Sequence, residues 1–478
     1  MKTYKTVVVG GGIVGAGLLR DLALNGIETL LIEKNDFSSQ TSERSSKMLH
    51  GGIRYLENMD FSLVFEALHE KNLWLQLTPH LAREAAFYLP VYKDAKRPLW
   101  MIRMGLFLYD LLSSFKNSPH SVKDSSETTR EIPGLKKSGL TGAGVYYDAI
   151  MDDAKITLEV IYDALKESCA EAMNYTEVMK AELREGKTLL YLKNTLTGEE
   201  SQVMAEQIVY ALGPFTDKFL SANPIYHWKN VLLPSKGSHL WISAKDLPLT
   251  HPIVMTPKGE NGKNEDRVIF VIPHGDQILV GTTEVPAEDD YFTIKPGPEE
   301  IDYLLEALND YFPEVHLGRT HVIASFAGIR PLVREGSGSD LGKTSREHKI
   351  YRPLSHTYVL AGGKYTTFRV MGQEITQEIC HKFGHGYNKD LTLQPLRQRS
   401  VVLPFDWKLP SADLLKKICE EERPATFEDL IKRRLGIASR ASWALKNTGV
   451  DFNRYFMTHL PLLSKFIRIT EEDIYRFI

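Results

Sequence analysis

The sequence has few cysteines, no excess of one charge sign and no long hydrophobic run. Its three cysteines, Cys169, Cys380 and Cys419, lie far apart and form no CxxC pair. This spacing argues against a disulfide framework or a structural zinc site and fits a reducing compartment, and no metal site is predicted. The net charge of −3 does not indicate nucleic-acid binding. Because no stretch of about 18 apolar residues occurs, we expect no transmembrane helix, and the apolar run at 7–9 is too short for a signal-peptide core.

Composition and periodicity predict a folded chain of two or three domains. The chain has 478 residues, too many for one hydrophobic core, and its 43% apolar and 25% charged residues are typical of folded proteins. Apolar residues at helical spacing predict helices over 61–77 and over 154–168, the second with Asp153 as its N-cap. Short β-rich runs over 230–325 predict an inserted, mainly antiparallel domain. From about Leu403 the pattern is helical and charged, which predicts a small C-terminal helical domain.

A glycine-rich turn lies between a predicted strand and a predicted helix. Residues 10–15 read Gly-Gly-Gly-Ile-Val-Gly, and Glu33 stands at the end of the next predicted strand. In this context Gly10 permits a tight turn, Gly12 lets the backbone approach a pyrophosphate, and Gly15 lets helix and strand pack closely. The helix N-terminus offers N–H groups to phosphates, and Glu33 can accept hydrogen bonds from a ribose hydroxyl. The pattern favours a dinucleotide-binding βαβ unit over a glycine turn in an unrelated fold, but it does not distinguish FAD from NAD.

A second segment, residues 41–57, begins with a run dense in hydroxyl groups and then contains two glycines, an arginine and a tyrosine. Its hydroxyls and amides can satisfy a pyrophosphate and a flavin edge, and Gly51 and Gly52 let the backbone lie flat against a ring system. On composition alone, a polar loop with a helix cap explains the segment equally well.

This segment resembles the FAD-binding segment of FAD-dependent glycerol-3-phosphate dehydrogenases, within the D-amino-acid-oxidase-like superfamily. The resemblance departs at Phe215, where the family often has tryptophan, and at Lys155, where arginine is common. Further family motifs follow in order along nearly the whole chain, at 98–103, 106–110, 147–154, 211–217, 236–239, 281–284, 328–332, 345–348, 361–367 and 426–434.

The resemblance implies an α/β and α+β fold, in which a Rossmann-like FAD-binding domain carries an inserted antiparallel-sheet substrate domain and a small C-terminal helical domain. Since no cysteine or histidine pattern indicates covalent attachment, we expect noncovalent FAD. The predicted limits are 1–95, 145–230 and 326–393 for the FAD-binding domain, 96–144 and 231–325 for the substrate domain, and 400–478 for the C-terminal domain. The predicted cofactor-binding residues are Gly10, Gly12, Gly15, Glu33, Thr41, Ser42, Ser45, Ser46, Lys47, His50, Gly51, Val178, Gly213, Gly363, Tyr365 and Thr366.

The resemblance also implies a substrate, sn-glycerol 3-phosphate, which is oxidised to dihydroxyacetone phosphate. A doubly charged phosphate in a near-neutral protein requires several converging cations, and the guanidinium fork of arginine matches phosphate oxygens. By resemblance these cations are Arg54, Arg330, Arg346 and Lys364. A single arginine of this kind is more often a surface ion pair, but three arginines and a lysine at motif positions favour a phosphate pocket.

Proton transfer during the oxidation requires a base near the reacting carbon. His239 is the predicted base, because an unperturbed imidazole titrates near neutrality. The alternative is a histidine that is simply hydrogen-bonded within a sheet. Arg330 is the predicted partner that stabilises developing alkoxide charge, and Tyr55 is expected to shape the pocket or donate a hydrogen bond.

For the electron acceptor the resemblance implies a membrane quinone, or molecular oxygen in oxidase members. The segment 97–115 can lie in a lipid headgroup layer, although a buried helix explains it equally well. We therefore expect a cytoplasmic protein, peripheral on the inner face of the cell membrane, with a homodimer as a candidate assembly and no nucleic-acid partner. Its broad apolar face comprises Trp100, Met104, Phe107, Leu108, Leu111 and Phe115; its polar stripe comprises Arg103, Asp110 and Ser114; its basic flanks comprise Lys93, Lys96, Arg97 and Lys116.

Three alternatives to this assignment remain open. The chain could be a superfamily enzyme for an amino acid or hydroxy acid, an oxygen-using glycerol-3-phosphate oxidase, or a noncatalytic FAD-binding protein. An amine or carboxylate substrate needs only one or two cations, so a set of four favours the phosphate ester. The presence of both His239 and Arg330 argues against a noncatalytic protein.

Overall fold

The computed structural model describes residues 1–257, 267–287, 291–334, 348–397, 409–437 and 449–477. Within these ranges the strands are β1 Lys2–Val9, β2 Thr29–Ile32, β3 Met48–Leu49, β4 Ala82–Tyr92, β5 Ser121–Asp124, β6 Leu140–Met151, β7 Ala170–Met173, β8 Thr176–Arg184, β9 Lys187–Asn194, β10 Glu200–Tyr210, β11 Leu232–Ser243, β12 Ile253–Met255, β13 Ile269–His274, β14 Gln277–Gly281, β15 Val285–Pro286, β16 Val322–Val333, β17 His348–Leu354 and β18 Thr357–Gly362. The helices are α1 Ile13–Leu24, α2 Phe61–Leu77, α3 Leu99–Leu112, α4 Ser125–Glu131, α5 Asp153–Ala164, α6 Thr216–Ser221, α7 Pro298–Tyr311, α8 Phe368–Lys382, α9 Ala412–Glu422, α10 Phe427–Asp429, α11 Phe452–Leu463 and α12 Glu471–Phe477.

The first sheet contains the predicted dinucleotide-binding unit. Its strand order is β17-β18-β10-β1-β2-β7, and the β8–β9 hairpin pairs with β10. Strands β18, β10, β1, β2 and β7 run parallel, which requires crossover connections such as α1 between β1 and β2. Val7 and Val8 of the central strand are fully buried. The predicted strand, glycine turn, helix and strand over the first 35 residues are therefore confirmed, as is the mixed α/β fold class.

The second sheet contains ten strands in the order β15-β11-β14-β13-β12-β4-β6-β3, with β16 paired to β11 and β5 paired to β6. All of its pairs are antiparallel except β12 with β4. Strands β3 and β4, residues 145–151 of β6 and residues 326–333 of β16 belong to this sheet, although they fall within the limits predicted for the FAD-binding domain. The cause is long-range pairing, since β4 pairs with β6 from Ala82 to Tyr92 and β16 pairs with β11 from Leu232 to Ile242. The domain limits themselves stay a prediction.

Two observed helices correspond to the two helical segments predicted from the sequence. The helix predicted over 61–77 is α2, with the same limits. Helix α5 differs at both ends, because Asp152 is its N-cap and accepts a hydrogen bond from the Lys155 amide at 3.0 Å. The carboxylate of Asp153 instead accepts hydrogen bonds from Ser45 and Lys47. The helix ends at Ala164, where the chain turns towards β7.

Helix α3 exposes one apolar face and buries the other side. Trp100, Met104 and Phe107 are 62%, 64% and 55% exposed, so the alternative of a wholly buried helix is wrong for the isolated chain. The predicted polar stripe is also partly wrong, because Asp110 is buried and bonds the His120 ring at 2.7 Å. Among the described residues, no helix combines the length and hydropathy needed to cross a bilayer.

Residues 409–437 and 449–477 form helices α9 to α12, which share a hydrophobic cluster of their own. This cluster includes the fully buried side chains of Leu415, Leu430 and Phe456. A short π-helical turn, Leu430–Arg434, continues α10. We call these two ranges together the C-terminal helical unit.

Candidate active site

One large cavity lies where the glycine turn and strand β18 of the first sheet face strands β11 and β16 of the second. Its volume is about 590 Å³, which is within the range of small-molecule and cofactor sites. Most of the predicted site residues line it, namely Gly10, Gly12, Glu33, Thr41, Ser42, Ser45, Ser46, His50, Arg54, Val178, Gly213, His239, Arg330, Gly363, Lys364, Tyr365 and Thr366. Residues from widely separated parts of the sequence therefore converge on one space.

Four predicted residues stand behind the cavity wall instead of lining it, and a fifth, Arg346, lies outside the described residues. A Cβ on Gly15 would stand 1.8 Å from the Gly10 carbonyl oxygen, so this glycine serves the packing of α1 on the turn. Gly51 donates its amide to Asp148 at 3.1 Å. Lys47 pairs with Asp153, and the Tyr55 ring lies against the Lys364 ammonium.

The glycine turn has the geometry that a pyrophosphate requires. Gly10 has a φ of +113°, and a Cβ there would stand 2.3 Å from the Ala211 carbonyl oxygen. A Cβ on Gly12, the N-cap of α1, would stand 2.9 Å from Ser42 Oγ, which accepts a hydrogen bond from the Ile13 amide at 2.9 Å. The turn thus brings backbone to the cavity surface without side chains, beside the N–H groups of the helix N-terminus. These residues fit a dinucleotide cofactor.

Glu33 lines the cavity and is held by two backbone amides. Its Oε2 accepts from the Gly11 amide at 2.7 Å and its Oε1 accepts from the Asn35 amide at 2.9 Å. Burial raises the pKa of this carboxyl, and the two amides partly offset that rise. Each carboxylate oxygen has a second lone pair, so Glu33 can still accept a hydrogen bond from a ligand hydroxyl.

The hydroxyl-rich segment is anchored to the start of α5. Ser45 Oγ donates to Asp153 Oδ2 at 2.6 Å, and Lys47 Nζ pairs with Asp153 Oδ1 at 2.5 Å. Lys47 also donates to the Glu43 carbonyl oxygen at 3.0 Å. Burial lowers the pKa of Lys47, but the carboxylates of Asp153, Asp152 and Glu43 together outweigh it, so the net shift is upward. Lys47 is therefore a charged support of the segment, and its predicted contact with the cofactor stays a prediction.

His239 lies on β11, where it is buried against β16. Its ring stacks on Phe326 at a centroid distance of 4.9 Å, and Nε2 lies 2.9 Å from Ser46 Oγ. Among the described residues, Nδ1 has no hydrogen-bond partner. Burial, together with the charges of Arg330 and Lys47, lowers the pKa of His239 to about 3. The near-neutral pKa on which its prediction rested is therefore wrong for the ligand-free site, and the ring is neutral at pH 7.

Arg330 lies on β16 and reaches the same part of the cavity. One of its amino groups, Nη2, donates to Thr282 Oγ1 at 2.8 Å, and the other, Nη1, donates to the Thr283 carbonyl oxygen at 3.4 Å. A Cβ on Gly237, on the neighbouring strand, would stand 2.5 Å from Arg330 Nη2. The missing side chain of Gly237 therefore makes room for the guanidinium, which is half-buried beside Glu284 at 4.0 Å.

Lys364 and Arg54 add two more cations to the cavity wall. The Lys364 ammonium stands over the Tyr55 ring, with Nζ 3.6 Å from the ring centroid. A cation at this distance from a tyrosine face is attracted by the ring quadrupole. Tyr55 therefore fixes the position of the ammonium group, which is a more specific role than the predicted shaping of the pocket.

The sequence reasoning missed several residues that line the cavity. Arg44 and Arg267 are further cations there. Arg44 lies inside the hydroxyl-rich segment, so its inclusion could have been inferred, whereas no motif surrounds Arg267. Phe292, in the loop after β15, stacks on Phe215 at 4.4 Å, and Lys34 stands 4.9 Å from the Phe292 ring. No local sequence pattern indicates this aromatic contact, because it depends on how the two sheets pack.

Comparisons with known proteins agree with this geometry. A family model described as FAD dependent oxidoreductase (DAO) matches residues 5–378. The aerobic glycerol-3-phosphate dehydrogenase of Bacillus subtilis (strain 168) is 33% identical over 392 residues, which cover 81% of this chain and 69% of that protein. The mitochondrial glycerol-3-phosphate dehydrogenase of Bos taurus is 34% identical over 391 residues, which cover 78% of this chain and 52% of that protein. The chain thus spans about half the length of the bovine relative.

The fold agrees with a solved structure over the whole chain. The glycerol-3-phosphate dehydrogenase from Bacillus halodurans complexed with FAD aligns with a TM-score of 0.72 and 23% identity, over 100% of this chain and 93% of that one. The family model covers more than half of the chain, and the Bacillus subtilis relative is covered over more than two thirds of its length. The chain therefore belongs to the DAO family of FAD-dependent oxidoreductases, and within it to the family of the aerobic glycerol-3-phosphate dehydrogenases.

Proposed function

We propose that this protein oxidises sn-glycerol 3-phosphate to dihydroxyacetone phosphate, with noncovalently bound FAD as the hydride acceptor. The observation that carries the proposal is the set of cationic side chains that line the same cavity as the glycine turn, among them Arg44, Arg54, Arg330 and Lys364. Because the chain has a net charge of only −3, a cluster of this kind is a local feature and not a general surface property. Such a cluster suits a dianionic phosphate ester.

In this proposal two cations bind the phosphate. Arg54 offers a planar fork of donors, and Lys364 offers a point charge whose position is fixed by the Tyr55 ring, 3.6 Å from Nζ. Binding the remote phosphate orients the carbon that is oxidised, and this lowers the entropic part of the barrier. The names of the relatives support the choice of substrate, since those proteins are called glycerol-3-phosphate dehydrogenases.

His239 and Arg330 act on the substrate hydroxyl in this proposal. FAD, when bound, supplies the acceptor for the hydride. His239 is neutral because its pKa is about 3, so it holds an open ring nitrogen but is a weak base in the ligand-free site. A dianionic substrate places negative charge beside the ring and raises this pKa, which strengthens the base when substrate is present. Arg330 stabilises the negative charge that develops on the hydroxyl oxygen.

The substrate assignment is tested by adding substrates to the FAD-loaded protein without oxygen. We expect sn-glycerol 3-phosphate to bleach the visible flavin absorbance, and glycerol or D-alanine at the same concentration to leave it unchanged. Bleaching by D-alanine would place the chain among the amino acid oxidases of its superfamily. A flavin that none of the three bleaches would contradict the proposal and favour a noncatalytic FAD-binding protein.

The phosphate site is tested by removing one cation. Lys364→Met deletes a charge-assisted hydrogen bond to phosphate, so KM for glycerol 3-phosphate should rise about 10- to 100-fold while kcat changes less. Lys389→Met is the matched control, because Lys389 is exposed and lies away from the cavity lining. Equal KM values for the two variants would remove Lys364 from the phosphate site.

We also propose that the electron acceptor is a membrane quinone, and that α3 attaches the protein to the inner face of the cell membrane from the cytoplasm. The exposed apolar face of α3 supports this placement. Two hydrogen bonds also connect α3 to the hydroxyl-rich segment, residues 41–57. Tyr109 OH donates to Asp148 Oδ1 at 2.7 Å, and the same oxygen accepts from the Gly51 amide.

The quinone assignment is tested by reoxidising the flavin. After anaerobic bleaching, a soluble quinone analogue should restore the flavin colour faster than air. Faster recovery in air would favour an oxygen-using oxidase.

A further inference from the structure

Two arginines of the C-terminal helical unit reach into the cavity-bearing part of the protein. Arg433 and Arg434 end the π-helical turn and are 4% and 1% exposed. Arg433 Nε donates to Asp36 Oδ2 at 2.6 Å, and Arg434 pairs with the same carboxylate. Asp36 is itself 1% exposed. Two guanidinium groups and a carboxylate are thus buried together at the contact between the C-terminal unit and the first sheet.

Arg433 also contacts Glu43, which lies seven positions after Asp36 in the sequence. Nη1 of Arg433 lies 3.2 Å from Glu43 Oε2, while Nη2 of Arg433 donates to Asp429 Oδ1 at 2.7 Å within the C-terminal unit. Asp36 and Glu43 flank residues 38–42, a segment that we call the serine strap. Arg433 therefore holds both ends of the strap at once.

The serine strap is part of the cavity wall. Ser38, Thr41 and Ser42 line the cavity. The Ser38 amide donates to the Gly11 carbonyl oxygen at 3.0 Å, and Ser42 Oγ accepts from the first amide of α1. The strap therefore contacts the glycine turn directly, and a shift of the strap changes the surface that meets a pyrophosphate.

Charge balance makes the arrangement depend on the arginines. Burial alone would raise the pKa of Asp36, but Arg434 and Arg433 outweigh it and hold the pKa at about 2. With Arg433 removed, Asp36 would keep Arg434 as its one arginine partner beside the Asn174 amide, and the Glu43 end of the strap would lose its contact with Arg433. A buried carboxylate that loses part of its compensation moves towards water or takes up a proton, and either change releases the strap.

We propose that the C-terminal helical unit contributes to FAD binding, with Arg433 as a positioning residue that holds the serine strap against the glycine turn. Arg433 does not line the cavity, so it acts through Asp36 and Glu43. This inference depends on FAD as the cofactor and not on which substrate is oxidised. A failure of the glycerol 3-phosphate assignment therefore leaves it standing.

The test is the dissociation constant of FAD, measured by titrating the full-length apoprotein and following flavin fluorescence. Arg433→Met keeps the alkyl stem and removes the charge, and we expect FAD to bind about 10- to 100-fold more weakly. Lys432→Met is the matched control, because Lys432 is the preceding residue of the same turn but is exposed and pairs with Glu428. The control should bind FAD as tightly as the native chain.

Two further measurements separate positioning from a loss of folding. At saturating FAD, the visible circular dichroism of the flavin should differ between Arg433→Met and the control, while KM for the oxidised substrate stays near its native value. Glu43→Gln removes only the strap end of the contact and should weaken FAD binding by about three- to tenfold. Native FAD affinity and dichroism in a folded Arg433→Met protein would overturn the proposal. If that variant does not fold, native affinity in Glu43→Gln would overturn it instead.

Discussion

Replacing Arg330 with methionine removes the guanidinium group while keeping an unbranched side chain in the space that Gly237 leaves open. In the native protein this guanidinium is fixed by Thr282 Oγ1 at 2.8 Å, so it is already oriented before substrate arrives. Preoriented donors of this kind stabilise developing charge in the transition state more than they stabilise the ground state. The substitution should therefore reduce kcat more than it raises KM.

The size of the effect follows from the two roles of Arg330. Loss of one fixed donor to a developing oxyanion costs about 100- to 1,000-fold in kcat. The charge of Arg330 also contributes to the low pKa of His239, so its removal lets that pKa rise and makes the ring a better base. This second effect opposes the first, which makes a loss of about 100-fold the more realistic expectation.

The assay is steady-state oxidation of glycerol 3-phosphate by FAD-saturated protein with an artificial electron acceptor. Arg334→Met is the control, because Arg334 follows directly after the same strand but is exposed. The control should keep native kcat and KM. A kcat within about twofold of the native value in Arg330→Met, with FAD bound normally, would refute the assigned role.

Three further predictions concern other parts of the molecule. Gly15→Ala should abolish tight FAD binding, since its Cβ would stand 1.8 Å from a carbonyl oxygen of the turn; Gly105→Ala, with no described atom within 4 Å, should bind FAD normally in the same titration. The folded pKa of His239 is about 3 against an ordinary 6.5, so this residue by itself should lower the stability of the apoprotein by about 1.4 kcal/mol per pH unit as the pH falls from about 6.5 to about 3. His239→Asn should lack this loss. The free energies of unfolding in urea of variant and native protein are compared at pH 5 and at pH 7, and the same difference at both pH values would contradict the prediction. Trp100→Asp with Phe107→Asp should abolish sedimentation with anionic phospholipid vesicles, and unchanged sedimentation would exclude α3 as the contact.

The local parts of the fold could be predicted because their signals are local. The apolar run at 7–9 indicates a strand, the glycines at 10–15 indicate a tight turn into a helix, and the acid at 33 marks the end of the next strand. Together these short-range signals predict the βαβ unit. The limits of α2 follow equally well from the spacing of its apolar residues. Long-range pairing is different, since β4 and β16 carry no sign of which strand they will meet.

The site residues show the same contrast. Residue types and motif positions place His239 and Arg330 in one pocket, but the pKa of His239 depends on burial and on Arg330 and Lys47. The role of Lys47 is set by Asp153, a residue predicted only as a helix cap. The contact of Arg433 with Asp36 joins positions far apart in the sequence, and only the folded chain shows it.

The most direct measurement is a crystal structure of the FAD-loaded protein with a bound phosphate ester, either glycerol 3-phosphate or dihydroxyacetone phosphate. We expect the FAD pyrophosphate at the glycine turn of residues 10–15. We also expect the ester phosphate within hydrogen-bonding distance of Lys364 or Arg54, and the C2 carbon of the ester next to His239. An ester phosphate bound away from these cations, or FAD outside the cavity, would contradict the proposed function.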